Sequence, residues 1–349
     1  MIKKERILVY GIGKFYFENE TRINEQYSIS AYIDNNKKGS HLDKVIISLE
    51  EVTNYEYDII LVMIQDIQSC FEVVRELIYE KAISCEKIVL GHSKYGMYGE
   101  VLDKLVVLPD GNIELTVGNI SVKVHSLDEF NNTCEVLVNG IYDYYINNGK
   151  KDVVIDIGMN IADSTCFFLD RDNVSKVYGY EPFKETFLQA KENLSKYTTD
   201  EERFEIFQYG LSDENRMQTS KFNTEWTCGQ CTISEIRDKN LEMYEAWGLA
   251  QSDKEEEENI EIRKASDVLL PIFIRHQNEN IVLKMDCEGE EYAIIRNLSE
   301  QGLLGKFSFI MLEWHYKGNG ELIDKLLQEG FSYWCMKKNS QLGFIYAYK

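Results

Sequence analysis

Short apolar runs of strand length alternate with stretches of helical period at both ends of the chain, and a differently patterned stretch separates them. RILVYGIG, SISAYIDN, DIILVMI (58–64) and EKIVLG (86–91) read as strands, while SCFEVVRELIYEKA (69–82) places its apolar residues at helical spacing. Strands alternating with a helical segment predict a small parallel α/β domain over residues 1–97. Between 98 and 150 the character changes, and KLVVLPDGNIELTVGNISVKVHS has alternating apolar residues broken at Asp110-Gly111 and Gly118-Asn119. Asp-Gly between alternating runs predicts a short β-hairpin region. A helical lead-in follows, and its aromatic run Tyr142, Tyr144 and Tyr145 suits packing or the mouth of a substrate site.

From 151 to 349 the strand–helix alternation returns. Predicted strands fall at Val153–Ile155, at the run ending in Glu181, at FEIFQYGLS (204–212), at the run ending in Asp286, at SFIMLEWHY (308–316), and at FSYWCMKK and LGFIYAYK. FKETFLQAKENLSKY has an amphipathic helical pattern, and ELIDKLLQEG is a helix with a glycine stop. The seven strands make a second α/β unit, with the last two close enough to pair antiparallel. DKEEEENIE (253–261) reads as a solvated segment or an insertion tip.

Charge narrows the partners. A net charge of −21 argues against nonspecific binding to nucleic acid or anionic membrane. Nothing approaches the roughly 18 consecutive apolar residues of a membrane helix. The apolar run after MIKKE passes straight into a glycine turn, which predicts a first strand rather than a signal peptide. Eight scattered cysteines then read as free thiols in a reducing, cytoplasmic compartment. Cys228 and Cys231 form a lone C-x-x-C without a second pair at zinc-ligand spacing, so neither a zinc nor a redox role is favoured. Trp226 and Trp247 beside it suit a substrate-covering insertion or local packing.

Candidate chemistry concentrates in VVIDIGMNIADSTCFFLDRDNVSKVYGYEP (153–182). A strand, a turn at Gly158, a helix and a strand ending in Glu181 make the layout of a nucleotide-type cofactor site, with the acid near the ~20-residue distance of a ribose-binding carboxylate. Asp156 and Asp163 flank the turn and would repel a pyrophosphate, whereas a cofactor with a ribose, an ammonium and a sulfonium would accept them. S-adenosylmethionine meets that description. The earlier turn, Gly11-Ile-Gly13 with Asp34 downstream, has a dinucleotide look, but Tyr16 stands where a third glycine would let helix and strand approach.

VVIDIGMNIADST with YGYEP, LKMDCEGEEYAIIRNL and IMLEWHY together resemble the FkbM family of S-adenosylmethionine-dependent methyltransferases, over about residues 125–349. The match to the family's D-x-G-x-N-x-G-x-S pattern falls on Asp156, Gly158, Asn160 and Ser164, with Ala162 in place of a glycine. The second block carries Lys284, Asp286, Glu288, Gly289 and Glu291, with Glu290 replacing a small residue. The resemblance implies a seven-stranded Rossmann-like methyltransferase sheet acting on hydroxyls of sugars, glycans or related small metabolites.

Methyl transfer to a hydroxyl needs alignment and a group to take the proton. His315, Asp286 and Glu313 are the candidates for that proton. Asp156, Gly158, Asn160, Ala162, Asp163, Ser164, Glu181, Ser212 and Asp213 are the expected cofactor contacts, with Glu181 on the ribose. Asp286, Glu288 and Glu313 offer oxygen ligands for a divalent cation such as Mg2+. Two other readings stay open: an NAD-dependent oxidoreductase or sensor working through Gly11 and Gly13, and a scaffold in which Ala162 marks a lost cofactor site.

Overall fold

The computed structural model describes residues 4–96, 99, 101–198, 200–223, 230–233, 236–239, 242 and 255–349. It divides into two units, Met1–Phe130 and Asn131–Lys349.

In the first unit, β1 (Arg6–Tyr10), β2 (Ser28–Ile33), β3 (Gly39–His41), β4 (Lys44–Ile47), β5 (Ile59–Val62) and β6 (Ile88–Leu90) form a sheet in the order β3-β4-β2-β1-β5-β6. All neighbours are parallel except β3 and β4. That edge hairpin departs from the parallel sheet expected. Its two-residue turn, Leu42 and Asp43, holds φ values of 46° and 60°, a primed-turn conformation that Leu-Asp does not advertise as Asn-Gly would. Tyr16 is fully buried, with its hydroxyl 2.8 Å from that of Tyr32. The helix after the glycine turn, Lys14–Gln26, thus meets the sheet through an aromatic ring rather than a bare backbone. β7 (Lys104–Val107), β8 (Ile113–Val117) and β9 (Ile120–Val124) form the antiparallel meander marked by Asp110-Gly111 and Gly118-Asn119.

The second unit is built on β10 (Asp152–Ile157), β11 (Val174–Tyr180) and β12 (Phe204–Phe207). The small strands β13 (Gly210–Ser212), β14 (Arg216–Asn223) and β15 (Glu255–Lys264) come next, followed by β16 (Asn280–Met285), β17 (Phe309–His315), β18 (Ser332–Lys337) and β19 (Leu342–Tyr348). The main sheet runs β12-β11-β10-β16-β17-β19-β18. β19 is antiparallel to both its neighbours, as the proximity of the last two runs predicted for β18. Every residue of β10 and β16 is buried, as helix-covered parallel strands require. Leu283, Ile310 and Ile345 carry the core across the middle of the sheet, and Leu269, Ile294 and Leu326 from the helices close over it.

Two expectations change here. The run 204–212 is not one strand. It breaks after Phe207, and β13 leaves the main sheet to pair with β15. Residue 210, at the bend, is glycine, and a Cβ there would lie 2.8 Å from Cδ1 at the end of the Ile262 side chain. The acidic run of 253–261 is not merely a solvated tip either. Over its described part it belongs to β15, paired antiparallel with β14 from Arg216↔Ile262 to Asn223↔Glu255. Ile260 and Ile262 face inward onto Phe183 and Phe222, so two isoleucines anchor a strand whose other face is charged.

Candidate active site

The strand order reverses between β10 and β16, and the registers place the ends of three strands level. Ile157 pairs with Tyr180 on one side and with Met285 on the other. The next residues, Gly158, Glu181 and Asp286, therefore leave the sheet side by side. A cleft opens above them, lined by Gly158, Asn160, Glu181, Asp286 and Glu288 among the expected residues. Ligand sites in open α/β sheets form at such a reversal, beyond the carboxyl ends of the strands.

The loop after β10 is shaped from behind. Gly158, Asn160 and Ala162 all hold positive φ, 73°, 49° and 68°. A Cβ on Gly158 would lie 1.8 Å from Asp286 O, so only glycine lets the two loops meet. Lys284 is buried and donates from Nζ to Gly158 O at 2.6 Å, with Asp156 Oδ1 at 3.1 Å. Burial works against the lysine's charge, but Asp156 and Asp286 outweigh it and raise its pKa. Asp156 Oδ2 accepts from Ser164 Oγ and Thr165 Oγ1, each at 2.7 Å.

Asp156 and Ser164 thus face each other rather than the cleft, contrary to the direct cofactor contacts expected. With no exposed surface on Asp156, its carboxylate holds the loop. Asp163 is also buried; burial pushes its carboxyl up to about 6, and Oδ1 accepts from Ser164 N. Ala162 opens the helix Asp163–Leu169 in the left-handed region and does not line the cleft. That conformation explains the glycine expected there.

Glu181 lies at the opposite side and accepts from Phe183 N at 3.0 Å. It is 6% exposed, and burial pushes its pKa up to about 7. Phe183, Leu211 and Ile262 add an apolar wall beside it, and Asn132, Gln230 and Thr232 add polar groups. Ser212 is buried and bonded through Oγ to Glu290 Oε2 at 2.5 Å, and Asp213 is exposed; neither lines the cleft, which departs from the adenine contacts expected. Glu290 does line it. Its Oε1 meets Arg216 Nη2 at 2.5 Å and accepts from Thr232 Oγ1 at 3.0 Å. One carboxylate thereby ties β13, β14 and the 230–233 segment to the loop after β16. The only sequence sign of this role was that Glu290 replaced a small residue.

Beyond Asp286 lies a cluster of charge. Tyr142 OH donates to Asp286 Oδ2 at 3.1 Å. Tyr142 and Tyr144 are buried, while Tyr145 is 78% exposed. His315 is 4% exposed; Nδ1 meets Glu291 Oε1 at 2.5 Å, and Nε2 faces Glu288 Oε2 at 3.5 Å and Asp286 Oδ1 at 3.9 Å. Burial opposes a charge on the ring, but Glu288, Glu291 and Glu313 outweigh it and raise the pKa well above that of a free histidine. Nδ1 is thus committed to Glu291, and Nε2 is the nitrogen that faces Asp286 and Glu288. Glu313 is pushed up to about 8 by burial and the nearby Asp286, and lies 3.6 Å from Lys338. The candidate cation ligands that converge are Asp286, Glu288 and His315, so the histidine takes the place expected for Glu313.

Cys231 is buried and its thiol meets Glu288 O at 3.2 Å, while Cys228, Trp226 and Trp247 lie outside the described residues. In the first unit, Asp34 is engaged by its own loop and by the glycine turn: Oδ1 accepts from Asn36 N and Lys37 N, and Oδ2 from Ile12 N. No helix among the described residues is long and apolar enough to cross a membrane.

Comparison with known proteins adds the following. No curated protein matches the chain. The FkbM methyltransferase from Methylobacillus flagellatus KT is 12% identical, covers 99% of this chain and 90% of its own, and superposes with a TM-score of 0.35. Human methyltransferase 10 domain containing protein is 10% identical over 81% of this chain and 98% of its own, with a TM-score of 0.34. Magnesium protoporphyrin IX methyltransferase from Synechocystis PCC 6803, with bound S-adenosylmethionine, is 8% identical over 62% of this chain and 76% of its own, with a TM-score of 0.29. Residues 3–89 match the model described as C2185-like, N-terminal. Residues 156–333, just over half of the chain and spanning every cleft strand from the turn of β10 to β18, match the methyltransferase FkbM domain. The chain belongs to the FkbM methyltransferase family.

Proposed function

We propose that the protein transfers the methyl group of S-adenosylmethionine to a hydroxyl of a sugar, glycan or related small metabolite. The observation that carries the cofactor half is the level emergence of Gly158, Glu181 and Asp286 around one cleft. Glu181, as a carboxylate, offers two acceptor oxygens to the ribose diol. Gly158 and Asn160 offer an open backbone for the methionine part, and the wall of Phe183, Leu211 and Ile262 suits the flat adenine. With the ribose at Glu181 and the methionine part at Gly158 and Asn160, the reacting methyl would belong on the Asp286 side of the cleft.

The acceptor hydroxyl then belongs beside Asp286 and Glu288. These carboxylates are the groups placed to hydrogen-bond it and to receive its proton as the O–C bond forms and the S–C bond breaks. His315, behind them, faces the pair through Nε2, 3.5 Å from Glu288 Oε2 and 3.9 Å from Asp286 Oδ1. Aligning the oxygen with the methyl and excluding water contributes most, of order 7–11 kcal/mol. The first unit does not favour a dinucleotide reading, because Asp34 caps its own loop and Tyr16 fills the helix–sheet gap.

The test is methylation of a panel of sugars and hydroxylated metabolites with labelled S-adenosylmethionine, comparing wild type with Asp286→Asn. Transfer to an alcohol oxygen, lost by at least ~10²-fold in the variant, is expected. Transfer to nitrogen or carbon acceptors alone would replace the hydroxyl reading.

A further inference from the structure

We propose that the second unit contains a divalent-cation site whose ligands are His315 Nε2 and the carboxylates of Asp286 and Glu288. One ligand atom from each residue lies within 4.8 Å of the others. Nε2 stands 3.5 Å from Glu288 Oε2 and 3.9 Å from Asp286 Oδ1. Those separations are long for hydrogen bonds. They lie slightly beyond the roughly 3.0–3.4 Å that ligands keep around an ion about 2.1 Å from each. Small side-chain rotations would close the set.

The second, independent observation is how the imidazole is aimed. His315 is enclosed, and its Nδ1 is taken by Glu291 Oε1 at 2.5 Å. Glu291 is itself fully buried, and its other carboxylate oxygen has no hydrogen-bond partner. A buried carboxylate committed to the far nitrogen fixes the ring and its tautomer, and presents Nε2 to whatever lies in front of it. Metal-bound histidines are oriented in this way. Asp286 is steered similarly: Tyr142 OH holds Oδ2, so Oδ1 turns toward His315.

One imidazole nitrogen with two carboxylates suits Mn2+, Co2+ or Zn2+, whereas Mg2+ and Ca2+ favour oxygen-only shells. Asp286 and Glu288 also line the cleft, so the open coordination positions would face the acceptor side. There a cation would polarise the acceptor oxygen, a role that rests on the methyltransferase reading; the site itself rests on the side chains alone.

The test uses the full chain after chelator treatment, titrated with CoCl2 followed by visible absorption and with MnCl2 followed by calorimetry. One saturable ion per chain is expected. Glu288→Gln, whose side chain is partly exposed, should keep the fold by circular dichroism and weaken binding at least ~10-fold, and Glu291→Gln should weaken it ~10–100-fold without removing a ligand. Absence of saturable binding to the wild-type chain, or binding by the Glu288→Gln and His315→Gln chains as tight as that of wild type, overturns the proposal and leaves an ion-pair network. S-adenosylhomocysteine is titrated into the same stripped protein. Its binding without any ion binding overturns only the cation site, and loss of its binding overturns the cofactor reading instead.

Discussion

Glu181 carries two opposed demands. To hold a ribose it must be ionised, yet burial raises its pKa to about 7, against roughly 4.3 in an unfolded chain. A carboxyl raised on folding stabilises the protein fully below the unfolded pKa, and that contribution is lost as pH rises through 7. The ionised form therefore costs the empty protein about 3 kcal/mol at pH 8. Glu181→Gln should raise the melting temperature of the unliganded protein at pH 8 and leave it nearly unchanged at pH 4. Affinity for S-adenosylhomocysteine should fall as pH drops from 8 to 6 in wild type, with a flat profile in the variant. A pH-independent wild-type affinity, by calorimetry, would remove Glu181 from the ribose.

Gly158 and Ala162 make a contrasting pair. Gly158→Ala drives a Cβ into Asp286 O, which should cost at least ~2 kcal/mol in denaturant unfolding and abolish cofactor binding. Ala162→Gly relieves a left-handed alanine worth roughly 1–2 kcal/mol, offset in part by the greater freedom of glycine when unfolded. It should leave stability unchanged or up to ~1 kcal/mol higher, with cofactor affinity within about twofold. A tenfold gain in affinity would show instead that the alanine closes the site. Glycine's role at 158 was legible from the strand–turn–helix pattern. That Asp156 and Ser164 serve the loop rather than the cleft was not, because a motif does not say which way a carboxylate faces.

At the scale of elements, the main sheet was largely legible. Its strands are β-branched, apolar and bounded by turns, and their burial on both faces removes ambiguity. The β13–β14–β15 sheet was not. Its inner face rests on a few residues, Phe222, Ile260 and Ile262, set among glutamates that read as solvated. What fastens it to the cleft is Glu290, through Ser212, Arg216 and Thr232. Glu290→Ala would leave Arg216 and two hydroxyls without their shared partner. The expected cost is about 2 kcal/mol in stability, with a raised KM for S-adenosylmethionine. An unchanged KM would mean that this sheet does not wall the cofactor.

At the scale of the molecule, two α/β units lie along one chain, and their glycine turns have been put to different uses. In the first, Tyr16 packs the helix against the sheet and Asp34 closes its own loop. In the second, the corresponding turn faces an open cleft with Glu181 and Asp286 on either side. The patterns of the two turns are similar enough that residue types alone left a dinucleotide reading open for the first. A cleft lies beside each turn, and the two differ in lining: Asp34 is bonded to Ile12, Asn36 and Lys37 in the first, whereas Gly158, Glu181 and Asp286 meet in the second.

Thermal unfolding of the full chain with S-adenosylhomocysteine and, in parallel, with NAD tests that separation most directly. A ligand at 100 times its dissociation constant adds about 2.7 kcal/mol to stability, a shift of several degrees for a domain of this size. The account predicts a saturable rise with S-adenosylhomocysteine that is lost in Gly158→Ala, and no rise with NAD. A rise with NAD and none with S-adenosylhomocysteine would contradict it.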